Sequence, residues 1–320
     1  MITIVHIDGL NGINYHRLIV PLRRLQAQGV NLHWIENLEQ LKEINLDPVT
    51  NLIISRKASI NNHQKFSQML KSNGIKLILD NDDYWTLNPE NPAKALYEVY
   101  YGPDIKKTIR IADVIWTPST YLAKQMAAIN PKAVIEFVNN AIDETEDQWR
   151  NYRKYSSSDV RFGYVGALGH INDIKEIGYD FSKVYTFGVE GMDYEDILKY
   201  DKTMPPRDIW NYGKFYKSFD VSLVPIVGNR FNWCKSDLKI TEAAWTRTAV
   251  IASNTKPYSK VIRHGETGLL CRTREEWAEA IESMDKKLAK TLARNLFDDL
   301  RDHEDYNLDK VNLKRLKHLF

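Results

Sequence analysis

Apolar positions in the first half of the chain follow two periods in turn. Ile2–Ile7, Asn31–Ile35, Leu52–Ser55, Lys76–Leu79, Val114–Thr117 and Val134–Val138 are short apolar runs, the mark of buried strands. Between them the spacing turns helical. His16–Ala27 carries Leu18, Ile19, Leu22 and Leu25 on one face, and 62–72, 93–111 and 120–129 behave alike. This alternation predicts a parallel α/β sheet, so residues 1–150 read as one Rossmann-like domain. The polar stretch Asp143–Asp159, with its core at 151–159 and Ser156, Ser157 and Ser158 near its end, reads as a linker. Alternation then restarts with strands Val160–Val165 and Lys183–Phe187, helix Arg207–Ser218 and strand Val221–Pro225. A polar loop, a short helix, strand Ala249–Ala252, a tyrosine-bearing turn, a GETGLL hairpin and helix Arg274–Met284 follow. Residues 160–304 are therefore expected to form a second domain, with 305–320 as a closing helix.

Composition narrows this picture by exclusion. A chain of 320 residues exceeds what one typical core supports, in keeping with two domains. Lys and Arg number 44 against 42 Asp and Glu, so no strongly basic balance demands a nucleic-acid partner. Cys234 and Cys271 cannot make a disulfide framework and read as reduced, which together with an N-terminus that enters a strand at once predicts a cytoplasmic protein. No apolar run approaches the roughly 18 to 20 residues of a membrane span. The histidines make no HxH or HxxxH pair, so no dedicated metal site is expected.

The densest chemical signal is Phe231–Leu270, FNWCKSDLKITEAAWTRTAVIASNTKPYSKVIRHGETGLL. Asn232, Lys235, Ser236 and Lys239 precede or open a short helix, and helix N-termini and lysines both favour anions such as a diphosphate. Glu242, one turn in, can accept both hydroxyls of a ribose; taken alone it reads first as a solvated helix residue. The ordered run Lys-Ser-x-x-Lys-x-x-Glu-Ala-Ala, Ala-Val-Ile-Ala-Ser, Pro-Tyr, Gly-x-Thr-Gly-Leu-Leu resembles the donor-binding half of GT-B glycosyltransferases of the GT4-like group. That resemblance implies two Rossmann-like parallel-sheet domains facing a central cleft, with the last helix, Leu308–Phe320, crossing back to the first domain. It also implies a nucleotide-diphosphate sugar, UDP- or GDP-linked, as donor substrate, with no obligatory cofactor.

A second stretch, RFGYVGALGHINDI, places Gly163, Gly166 and Gly169 in and after a strand, where a missing Cβ lets a ligand or another backbone approach. Its spacing is not GxGxxG, which weakens a dinucleotide-dehydrogenase reading. It resembles a Gly-x-x-x-His-x-x-Asp variant of the GT4-like group, here Gly166, His170 and Asp173, although His170 can also simply cap the next helix. Many relatives hold the diphosphate with Gly-Arg and Lys-Gly pairs. Ala167 stands in the Arg place here, so phosphate charge passes to Arg230, Lys235 and Lys239. The family's Glu-x7-Glu pair is incomplete as well, because Cys234 lies where the first Glu would be; Asn232 and Cys234 become the sugar-side residues.

In the first domain, GLNGINYHR offers Gly9 and Gly12 for close approach, with Asn14, Tyr15, His16 and Arg17 opening a helix, where the resemblance puts the acceptor side of the donor phosphates. Asp8 ends the first strand, a position where open α/β sheets carry functional groups, and helix or turn capping is its structural alternative. Arg17 can pair with phosphate or with a carboxylate of its own domain. The acidic LDNDDYWTLNPENP supplies Asp80, Asp82 and Asp83, which can act as a general base, orient an acceptor hydroxyl or bind a divalent cation. Their proximity is expected to raise one of their pKa values. The alternative is a structural turn with Asp83 capping and Trp85 packed. Asn139–Asp143 resembles the Asn-Gly-Val-Asp element that ends the first domain in the GT4-like group.

The resemblance implies sugar transfer to an acceptor hydroxyl with retention of configuration. Lys235 and Lys239 serve the leaving group, Glu242 the ribose, His170 the donor face, and Asp83 or Asp8 the acceptor side. The acceptor is a glycan or small molecule, or a hydroxymethylated DNA base of the kind phage GT-B enzymes modify; for DNA, Lys106, Lys107 and Arg110, or Lys314, Arg315 and Lys317, offer a local basic patch. The rival is a noncatalytic nucleotide-sugar sensor or scaffold, which the altered Glu-x7-Glu and Gly-Arg positions favour.

Overall fold

The computed structural model describes the chain except residues 89–90, 92, 151–153, 155–157, 167–170, 176, 180–184, 190–201 and 205–207, and of 171–172, 185–189 and 202–204 it describes the backbone alone. The chain divides into two compact units. Unit 1 comprises Met1–Ala141, Cys234–Ser236 and Asn307–Phe320; unit 2 comprises Ile142–Trp233 and Asp237–Tyr306.

Unit 1 is built on six parallel strands in the order β2-β1-β3-β4-β5-β6. They are β1 (Ile2–His6), β2 (Leu32–Ile35), β3 (Val49–Ser55), β4 (Lys76–Asp80), β5 (Val114–Thr117) and β6 (Val134–Phe137). Central strands covered on both faces need unbroken apolar runs, and Leu52, Ile53, Ile54, Leu77, Ile78 and Leu79 are all buried. Strand order reverses between β1 and β3, so the residues just beyond these strands, Asp8 and Arg56, lie at a topological switch point. The flanking helices start where short polar side chains satisfy their first amides. Asn62 accepts from the Lys65 amide ahead of His63–Ser72, and Ser119 from the Leu122 amide ahead of Thr120–Ala127.

Two expected helices are interrupted, each beside a proline. The first is a short turn, Gly12–Asn14, then a π-helical turn, Tyr15–Ile19, then an α-helix, Val20–Ala27. Pro21 has no N–H to give the Arg17 carbonyl, and that carbonyl instead accepts from the Arg315 guanidinium at 3.1 Å. The segment expected as one helix over 93–111 is likewise Lys94–Leu96, a π-helical turn Tyr97–Tyr101, and Gly102–Ile111 with Pro103 in its first turn.

The terminal helix Leu308–Leu316 belongs to unit 1 and is bonded to it along its length. Arg24 forks onto Asp309 at 3.0 and 3.1 Å, Asn312 donates to the Pro21 carbonyl at 2.9 Å, and Asn51 donates to the Leu319 carbonyl at 2.9 Å.

Unit 2 repeats the plan with the parallel order β12-β11-β10-β7-β8-β9. Its strands are β7 (Arg161–Tyr164), β8 (Tyr185–Val189), β9 (Lys202–Met204), β10 (Val221–Val224), β11 (Ala249–Ser253) and β12 (Leu269–Cys271). Phe162, Leu223, Ile251, Trp277 and Leu292 pack into one core. The segment expected as a helix over 207–218 is a 3-10 helix confined to Tyr212–Ser218. The GETGLL segment is not a hairpin. The short helix Lys256–Ser259 carries the chain back across the sheet, Gly265 turns it at φ +79°, and β12 then runs parallel to β11 with Ile251 opposite Leu269. The polar segment after Ile142 contains the helical turn Asp147–Arg150, whose buried Trp149 ring leaves Gly213 no space for a Cβ, which would stand 2.8 Å from it.

Candidate functional site

In unit 2 the candidate residues gather at the C-terminal ends of β7 and β10. Asp173, in the helix Ile171–Lys175, accepts from the Val227 amide at 2.7 Å and from the Asn232 side-chain amide at 2.9 Å. Asn232 donates also to the Val227 carbonyl at 2.9 Å, so the two buried residues hold each other and fix the loop after β10. Asn232 Oδ1 is left buried with no hydrogen-bond partner among the described residues. Such an orphaned acceptor costs about 1–3 kcal/mol, and a donor supplied by a ligand would relieve it.

Glu242 lies on the helix Leu238–Trp245 and is 3% exposed, which removes the solvated-residue alternative. The Tyr216 hydroxyl donates to Glu242 Oε2 at 2.9 Å. Burial, followed by the charge of Glu242, pushes the Tyr212 and Tyr216 phenols well above their ordinary pKa, so Tyr216 stays a donor and fixes the carboxylate in one orientation. Asp237, just ahead of the same helix, is fully buried and accepts from the Tyr306 hydroxyl at 2.7 Å. Lys239 Nζ sits 5.0 Å over the Tyr164 ring.

The glycines in and after β7 give room to the unit's own rings. A Cβ on Gly166 would stand 2.1 Å from the Tyr164 hydroxyl, and one on Gly163 would stand 2.2 Å from Phe219 Cδ1. At both positions the missing Cβ gives room to a ring of the same unit. Arg230 opens the helix Arg230–Trp233 and is exposed. His170, with Ala167 and Gly169, lies outside the described residues.

In unit 1, Arg17 forks onto Asp80 at 2.9 and 2.8 Å and also donates to Asn140 Oδ1 at 3.2 Å. Of its two possible partners, Arg17 has the carboxylate. Both members are 2% exposed, and both Asp80 oxygens are engaged by the guanidinium. Asn140 in turn donates to Ser236 Oγ at 2.9 Å. Tyr15 is buried, Asn14 donates to Asp8 at 2.6 Å, and Ser55 donates to Asp8 at 3.1 Å. Asp8 thus closes the turn in which Gly9 adopts φ +105°, while Gly12 faces open space.

Arg56, at the end of β3, organises the acidic loop. It donates to Asp82 at 2.6 Å, to Asp83 at 3.2 Å and to the Tyr97 hydroxyl at 2.7 Å. Lys235 Nζ completes the cluster 2.9 Å from Asp83. Burial pushes the Asp82 carboxyl up, but Arg56, together with Lys235 and Arg17, holds the group below its ordinary value. The carboxyl that is raised is Asp80. The elevation comes chiefly from burial, with the charge of Asp82 only a minor contribution to it. Arg56, Tyr97, Tyr216 and Asp237 were not among the residues singled out from sequence. Only Arg56 carried a local signal, as a cation at the C-terminal end of a parallel strand.

Among the described residues, no group of three or more His, Cys, Asp and Glu is arranged to hold a metal ion, and no helix is long and apolar enough to cross a membrane.

Two parallel-sheet α/β domains of this construction are the GT-B glycosyltransferase fold. Residues 206–286, which include Tyr212, Tyr216, Asn232, Lys239 and Glu242, match the family model of Glycosyl transferases group 1. Among solved structures, Anabaena HepE in complex with UDP is similar at a TM-score of 0.63 and 12% identity, over 99% of each chain. A glycosyltransferase from Rickettsia africae gives 0.61 at 12% identity, over 99% of this chain and 97% of its own. TarM from S. aureus, in complex with Fondaparinux, alpha-GlcNAc-glycerol and UDP, gives 0.60 at 12% identity, over 88% of this chain and 57% of its own. No curated protein matches by sequence.

Proposed function

We propose that the protein is a nucleotide-sugar-dependent glycosyltransferase that moves a sugar from a UDP-linked donor to a saccharide hydroxyl with retention of configuration. The observation that carries this reading is the group 1 match over 206–286, which falls on the segment where Tyr216 orients the buried Glu242. The UDP present in the HepE and TarM structures supports UDP over GDP, and the saccharides in the TarM structure support a sugar acceptor over DNA. In this reading Glu242 accepts the ribose hydroxyls and Asn232 Oδ1 takes a donor from the sugar. Lys239, Lys235 and Arg230 offset the charge of the departing diphosphate, the preorganised electrostatic contribution that is usually the largest in such reactions. Asp83 or Asp8 orients the acceptor hydroxyl. No protein nucleophile is required. The buried cysteines, which form no disulfide, fit a cytoplasmic setting.

A panel of nucleotide sugars tested by thermal shift and donor hydrolysis checks the proposal. A UDP-sugar should raise the unfolding temperature, by the equivalent of about 2.7 kcal/mol at a hundredfold excess over Kd. Glu242→Ala and Lys239→Ala should each remove most of that shift. If no nucleotide sugar stabilises the protein, the donor assignment is wrong. One observation favours the sensor reading: Cys234, at the place of the family's first Glu, is fully buried. Stabilisation by a UDP-sugar with no turnover across donors and saccharide acceptors would establish that alternative.

A further inference from the structure

Lys154 belongs to the polar segment after Ile142 and has no part in the donor chemistry above, yet its ammonium sits where two supports of Glu242 meet. It donates to the Tyr216 carbonyl at 2.5 Å and to Thr248 Oγ1. Tyr216 lies near the end of the 3-10 helix Tyr212–Ser218, where the last carbonyls have no partner within the helix. The hydroxyl of the same tyrosine donates to Glu242 Oε2, so the lysine holds the residue that fixes the carboxylate. The second route runs through the turn that ends the Glu242 helix. Thr246 Oγ1 donates to the Glu242 carbonyl at 2.7 Å and lies 3.1 Å from Thr248 Oγ1. With the Thr246 proton committed to that carbonyl, the Thr248 hydroxyl donates to Thr246, and its own oxygen receives from Lys154. Donation thus runs in one direction, from Lys154 through Thr248 and Thr246 to Glu242. Between the threonines Arg247 adopts φ +51°, a left-handed conformation that side chains seldom take and that surrounding bonds must hold in place.

The lysine is not there for an ion pair. Asp220, the carboxylate whose charge reaches it, is held by Arg161 at 3.2 Å and by Lys286 at 2.7 Å, and no carboxylate among the described residues pairs with Lys154. Burial outweighs Asp220 and lowers the Lys154 pKa to about 7, a cost that an apolar side chain of similar length would avoid. Tyr216, Thr246 and Thr248 are all buried, so little water competes for the bonds that the cation makes and relays. We infer that Lys154 is a positioning residue for the ribose of the donor nucleotide: through Tyr216 and through the two threonines it sets the Glu242 carboxylate in the orientation that accepts the ribose hydroxyls. The inference rests on the reading of Glu242 as the ribose acceptor of a UDP-sugar site.

The test titrates the full-length protein by calorimetry with UDP and with dideoxyuridine diphosphate, which lacks both ribose hydroxyls. The proteins compared are the parent, Lys154→Met, Thr248→Val and, as a reference, Tyr216→Phe. The parent is expected to prefer UDP by about tenfold or more, the scale of hydrogen bonds to a carboxylate. Lys154→Met and Tyr216→Phe should lose most of that preference by binding UDP more weakly, while the dideoxy compound binds as it does to the parent. Thr248→Val, which keeps the shape of the side chain and interrupts one route, should lose part of it. A lysine that merely anchored its segment would weaken both nucleotides alike, and that result overturns the inference. Full preference retained in Lys154→Met and Thr248→Val overturns it too, and leaves the UDP-sugar reading standing. Should Lys154→Met fail to fold, the preference of Thr248→Val decides. If the parent binds neither nucleotide, the UDP-sugar reading falls; if it binds both equally, the nucleotide site stands, and the ribose role of Glu242 falls together with that of Lys154.

Discussion

Arg17 shows how far one side chain's role depends on what surrounds it. In the sequence it stands in a glycine-bearing loop, equally placed for a phosphate or a carboxylate; in the fold it is buried and forked onto Asp80. Breaking a buried pair from one side strands the other charge. Arg17→Met is therefore expected to cost about 3–5 kcal/mol, read as a lower denaturation midpoint in urea. Gly163 makes a second residue-scale case, since a methyl group there meets the buried Phe219 ring at 2.2 Å. Gly163→Ala should lose about 1–3 kcal/mol through overpacking, whereas an alanine at Gly12, which faces open space, should leave the midpoint nearly unchanged. Both glycines look alike in the sequence. What separates them is a ring contributed from more than fifty residues away.

At the scale of elements, strands were more legible than helices. Buried parallel strands announce themselves through unbroken apolar runs, because both faces are covered. The π-helical turns at Tyr15–Ile19 and Tyr97–Tyr101 were hidden, because Pro21 and Pro103 are also acceptable in a helical first turn, and in the first of them the released Arg17 carbonyl takes its donor from the distant Arg315. A related effect joins the polar segment after Ile142 to unit 2. Lys154 donates to the Tyr216 carbonyl and to Thr248 Oγ1, and burial pushes its ammonium pKa down to about 7 against the pull of Asp220. Its ordinary value is 10.5, so between these two pH values the unfolded chain binds more protons than the folded one. Stability should therefore rise as pH climbs from 7 towards 10 and be lost as pH falls back through 7. Urea midpoints across that range should rise more steeply for the parent than for Lys154→Met.

At the scale of the whole molecule, the terminal helix Leu308–Leu316 is part of the first unit's interior. Arg315 is buried, donates to the Arg17 carbonyl at 3.1 Å and lies 5.7 Å from the centre of the Trp116 ring. Burial, with Arg17 adding to it, lowers the Arg315 pKa to about 9, so the helix inserts a cation into a place that tolerates it only through these contacts. Removing residues 307–320 should take the Arg315 guanidinium from the Arg17 carbonyl and from the Trp116 ring, and the Asn312 amide from the Pro21 carbonyl. Amide hydrogen exchange in β1 and β5 is expected to accelerate; unchanged protection there would mean that unit 1 does not depend on the helix.

The sequence by itself determined the class of fold, two parallel α/β sheets, and the ordered motif over 231–270, because hydrophobic period and local spacing are properties of neighbours along the chain. Tertiary structure alone decided which polar residues act on one another: Arg17 with Asp80, Arg56 with Asp82, Asp83 and Tyr97, Asp173 with Asn232, and Tyr216 with Glu242. The physical reason is that a charge or hydrogen-bonding group has no role until its burial and its partners are fixed, and in each of these cases a partner comes from a different element of the fold.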